Sequence, residues 1–161
     1  MLLAAVAARS FRRYATYRAA TVAGIFTNSV FGVIYSFVYL ALWDQREGLG
    51  GYDAVDAVTY VWIGQALIMV VGMWSGGPTD DLAERIRGGE IAVDLYRPVN
   101  LVAWYLAQDA GRMVYHLLTR GAVRMVLGAL LFDLRAPAVP VSALAFVVSV
   151  GLGVVVSFGL R

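Results

Sequence analysis

Ala19 to Trp43 reads AATVAGIFTNSVFGVIYSFVYLALW and contains no Asp, Glu, Lys or Arg. A helix of about 18 to 20 apolar residues is enough to cross the hydrocarbon core of a bilayer, and this run exceeds that length. Ala57 to Gly77 and Ala136 to Leu160 are free of charge in the same way. Across the whole chain of 161 residues, 60% are hydrophobic and only 15% are charged, against roughly 25% charged in a soluble domain. The apolar excess is gathered into runs, so the expected fold is all-α, a polytopic transmembrane helical bundle. Four spans are expected, at 19–43, 57–77, 113–132 and 141–160, in a single transmembrane domain.

The composition also excludes chemistry. There is no cysteine, so disulfides and thiolate metal sites are absent, and the single histidine, His116, cannot make a zinc site alone. All 13 basic residues are Arg. Without lysine there is no P-loop, so any ATP and Mg chemistry belongs to another chain and no cofactor is expected in this one. A net charge of +2 gives no case for nucleic acid. No nucleophile stands beside a base and no metal-ligand cluster is present, so an enzyme is not expected. Residues Met1 to Ala8 are a short apolar run that precedes its basic cluster, unlike a cleavable signal peptide. The first span is expected to act as its own insertion signal.

Residues 1–18 are expected to form an interfacial amphipathic helix, with Leu3, Ala7, Phe11 and Tyr14 on one stripe and Arg9, Arg12 and Arg13 opposite. In the first span, Thr27, Asn28 and Ser29 read as polar glue between helices, and Tyr35, Tyr39 and Trp43 as an aromatic belt. In the second, Trp62 and Trp74 stand near opposite ends. Gly64, Gly72, Gly76 and Gly77 permit close helix contact, and no carboxylate or helix break is expected in either span. In the fourth, Gly151, Gly153 and Gly159 suggest close packing.

Between the second and third spans lies a polar loop, 78–100. Asp81 followed by Glu84 resembles a capping box, and Gly88–Gly89 supplies a stop. A short helix is expected to dock on a soluble partner through Leu82 and Ile86, with Asp81, Glu84, Arg85 and Arg87 as a polar rim. A second short element runs from Glu90 to Tyr96. Further on, Asp109, Arg112, His116, Arg120 and Arg124 recur at spacings of three and four and share one helical stripe. Snorkelling accounts for Arg112 and Arg120, but Arg124 is placed about 13 Å inside the span, where charge faces a bundle interior or a wet cavity. Arginine counting puts both termini and the polar loop in the cytoplasm.

The segments YRAATVAGIFTNSVFGVIY, GGYDAVDAVTYVWIGQAL, LAERIRGGEIAVDLYRPVNL and VVSFGLR together resemble the permease subunits of type-2 ABC exporters, in the drug and viologen branch, with ERIRGGEIAVDLYRPV the most specific part. The resemblance implies a multi-pass cell-membrane subunit that forms the substrate pathway of an ATP-driven exporter. It also implies a second permease half, identical or not, a cytosolic ABC ATPase dimer, and a coupling helix in the loop after the second span. Such permeases have six spans, so four imply a fragment or a truncated product. The alternative reading is an ATPase-independent membrane scaffold or channel subunit.

Overall fold

The computed structural model describes residues 1–45, 49–72 and 77–160; Arg46, Trp74 and Gly76 lie outside them. Helix α1 (Leu2–Ala15) leads through a tight turn into α2 (Arg18–Gln45). A short 3₁₀ turn, Leu49–Gly51, follows, and then α3 (Ala54–Leu67). The polar loop folds as α4 (Pro78–Arg87) and α5 (Ile91–Leu95). Helix α6 (Leu101–His116) passes through a π-helical turn, Leu117–Gly121, into α7 (Ala122–Leu131), and α8 (Pro140–Gly159) closes the chain. The described residues are helical or irregular, with no strand. Among them, three helices are long and apolar enough to cross a membrane: Arg18–Gln45, Leu101–Leu131 and Pro140–Gly159.

The helix that carries the third span begins at Leu101, and Asn100 caps it by accepting the Ala103 amide at 3.0 Å. One boundary differs from the sequence expectation. The helix of the second span stops at Leu67, and Ile68 to Val71 form a turn. That turn survives because side chains take its carbonyls. Arg112 donates to Met69 O at 3.0 Å and Val70 O at 3.4 Å, and Ser157 donates to Val71 O at 2.6 Å. The expectation of no helix break in the second span is therefore overturned.

The core lies where α2, α3 and α7 meet, and Trp62 is its centre, with no exposed surface. Its indole N–H donates to Ser36 Oγ at 3.1 Å, and Ser36 donates to Gly32 O at 2.8 Å. The ring lies against both Gly32 and Gly128, and at Gly128 a Cβ would stand 2.5 Å from Trp62 Cδ2. An aromatic flanked by glycines lets three helices approach around a single large side chain. Of the glycines named from sequence, Gly64, Gly72, Gly151, Gly153 and Gly159 do not play this part. Gly64, Gly151 and Gly159 have open space where a Cβ would be, and Gly153 only grazes Val71. Gly72 meets its own turn rather than another helix.

At the opposite end from α4, Asp53 and Asp56 form a reciprocal capping box on α3. Arg135 bridges to both, at 2.5 Å and 2.9 Å, and its amide donates to Thr59 Oγ1 at 2.8 Å. This ties the loop after α7 to the start of α3.

Candidate functional site

Two groups of polar residues stand out, one at the end of the bundle and one inside it. The first is built by α1, α4, α5 and α6. Helix α4 begins three residues before the expected cap. Gly77 is its N-cap in extended conformation, and Pro78 occupies the first helical position, where its fixed φ suits a helix start. The capping box at Asp81 is therefore not formed. Asp80 and Asp81 lie in the first turn and Arg85 and Arg87 in the last, the arrangement that the helix dipole favours. The stop falls as expected, with Gly88 as C-cap and Gly89 at φ +74°.

Freed from capping, Asp81 takes Arg13 of α1 at 2.7 Å, which raises that guanidinium above its ordinary pKa. Arg85 reaches Asp94 of α5 at 2.6 Å and Glu90 at 3.0 Å. Its hydrogen bond to Asp94 likewise raises it. Asp94 is buried and also holds Arg97 at 3.3 Å, and Arg97 in turn sits 5.9 Å over the Trp104 ring. These residues surround a charged cavity of about 520 Å³, which Glu84 also lines. Arg87 is exposed and Leu82 half-buried. Facing outward are Ile86, Val93, Leu95 and Tyr96, which are 56%, 60%, 67% and 90% exposed. The sequence reading found Ile86 among these but missed Val93 and Leu95 of α5 and Tyr96 at its C-cap, which stand apart from the helical spacing that marked α4.

Helix α1 lies along α6 rather than standing alone. The covered face is Val6 and Ser10, flanked by Ala7, Phe11 and Tyr14. Leu3, at the head of the expected stripe, is exposed. Contact is close because Gly111 has no side chain: a Cβ there would lie 2.1 Å from Ala7 O. Phe11 meets Tyr115 edge-on with centroids 5.5 Å apart, and Tyr14 meets His116 at the same separation.

The second group is the stripe on α6 and α7. The structure brings its members onto the inner side of the bundle, and Asp109, Arg112, His116, Arg120 and Arg124 are all buried. Snorkelling therefore does not describe Arg112 or Arg120. Arg112 Nε pairs with Asp109 at 2.7 Å while its terminal nitrogens hold the turn after α3. Arg120 donates to Ala20 O of α2 at 3.0 Å. Arg124, fully buried, donates to Gln65 O of α3 and, at 3.3 Å, to Gly24 O of α2. The carbonyls at the end of α3 carry the negative pole of that helix, and Arg112 and Arg124 are drawn to it. Thr21 and Tyr115 share a hydrogen bond of 2.9 Å beside them.

Long apolar helices, a core sealed by glycine contacts and arginines turned inward define a multi-pass helical membrane protein. The chain belongs to a known transporter family: the model of the ABC-2 family transporter protein matches residues 15–161. That family is the membrane component of ABC transporters, a transport subunit rather than an enzyme. No curated protein and no solved structure matches the chain.

Proposed function

We propose that this chain is the permease subunit of an ATP-driven exporter, and that the α4–α5 end is where it meets a separate ATPase. The observation that carries the reading is the exposed set Ile86, Val93, Leu95 and Tyr96 on two short helices held by ion pairs to each other and to α1. Apolar side chains on a rigid polar frame are what a docking helix presents to a groove. Arginine counting supports a cytoplasmic position for this end in the cell membrane, where a soluble ATPase dimer carrying ATP and Mg would be available. Closure of that dimer would push α4, and the Arg13–Asp81 and Arg85–Asp94 bridges would pass the movement to α1 and α5. A second permease subunit would complete the substrate pathway. Ile86 is a better anchor than Leu82, which is half-buried against its own chain. The test is co-purification of the ATPase with Ile86→Asp and Tyr96→Asp. The expected result is loss of the ATPase with the permease still folded; full retention would remove the dock.

A further inference from the structure

Among the described residues, Arg120 and Arg124 carry two positive charges into the bundle without an ion-pair partner. Both converge on Gly24. Arg124 Nη2 donates to its carbonyl at 3.3 Å, and Arg120 Nη1 and Cζ lie 3.0 Å and 3.1 Å from where a Cβ at Gly24 would be. Their other acceptors, Ala20 O and Gln65 O, are neutral carbonyls. Among the described residues no ion pair involves either group, and the one on this helix joins Arg112 to Asp109. Nε of Arg120, Nε of Arg124 and Nδ1 of His116 are buried with no hydrogen-bond partner. Carbonyl dipoles offset part of the desolvation of a guanidinium, but they leave the mutual repulsion of two close cations in place. The unsatisfied guanidinium donors of the two arginines beside Gly24 require an acceptor.

The side chains of Arg124 and Arg120 are 0% and 7% exposed, so the acceptor is ion-sized. Arg120 also lies within the π-helical turn, Leu117–Gly121, a departure from α geometry that is frequent at functional sites. We infer that Arg120 and Arg124, where they converge on Gly24, form a binding site for a small monovalent anion inside the bundle. The chemistry fits a halide, bicarbonate or a formate-sized carboxylate. Its source is either an inorganic ion or the carboxylate of a small transported acid.

The test is the melting temperature of the purified chain in detergent, followed by tryptophan fluorescence. Chloride is titrated against gluconate at constant sodium and ionic strength. Chloride is expected to raise the melting temperature saturably, by roughly 5 °C or more, while gluconate, too large to enter, does not. Formate and acetate arms assign the source: stabilisation by both carboxylates beyond chloride marks a carboxylate ligand, and chloride in the lead marks an inorganic one. Arg120→Gln and Arg124→Gln should lose the chloride response whatever their starting stability. Gly24→Ala keeps both charges but crowds Arg120, and should raise the half-saturating chloride concentration roughly tenfold. It covers the case in which an arginine variant does not fold. An unchanged chloride response in all of the variants that fold, or equal melting in chloride and gluconate for the parent chain, would overturn the site.

Discussion

Replacing Gly111 by alanine puts a Cβ 2.1 Å from Ala7 O, 2.9 Å from Ala7 C and 3.0 Å from Ser10 Cβ. Ordinary carbon–oxygen contacts are about 3.3 Å or longer, so α1 must retreat by about 1.2 Å. The obstacle is backbone, and no rotamer relieves it. Overpacking of this kind costs about 1–3 kcal/mol, and a backbone clash belongs at the upper end. The movement also loosens the ring contacts of Phe11 and Tyr14 with Tyr115 and His116. The chain has no cysteine, so Ser10→Cys, at a position 6% exposed, gives a single reporter thiol under α1. Maleimide should label it slowly in the parent background and at least roughly tenfold faster with Gly111→Ala, the ratio that follows from about 1.4 kcal/mol or more of added opening. Equal labelling rates and an unchanged melting temperature would refute the reasoning that Gly111 seats α1.

Trp62→Phe removes the N–H donated to Ser36 and part of the ring between Gly32 and Gly128; a fall of about 1–3 kcal/mol in stability is expected, read by thermal or denaturant unfolding in detergent. The Asp53 carboxylate is held below its ordinary pKa by the Asp56 amide first and by Arg135 next. Because its folded pKa is depressed, its contribution is complete above the unfolded value of 3.8 and is lost as pH falls below that. Melting from pH 7 to pH 3 should therefore show a decline below about pH 4 that is smaller in Asp53→Asn.

The sequence by itself determined the all-helical membrane class, since charge-free runs such as Ala19 to Trp43 can satisfy their backbone in lipid only as helices. It also located the two short elements of the polar loop, because Gly88–Gly89 acts locally on the backbone. The spacing of three and four from Asp109 to Arg124 put those residues on one face, which is a property of a single helix. Which way that face turned was decided only by tertiary structure. Arg112 and Arg124 point inward because α3 stops at Leu67 and offers carbonyls that they can reach, and Arg120 because α2 offers Ala20 O, facts about neighbouring helices rather than about their own. Gly32, Gly111 and Gly128 were no more visible than Gly64 or Gly151, since a glycine's use depends on what approaches it: Trp62 in two cases and the backbone of α1 in the third. Asp81 likewise looked like a cap until Pro78 started the helix earlier and left its carboxylate to Arg13. Local signals fix elements within a few residues, whereas burial and pairing depend on partners distant in sequence, and only the packed chain supplies them.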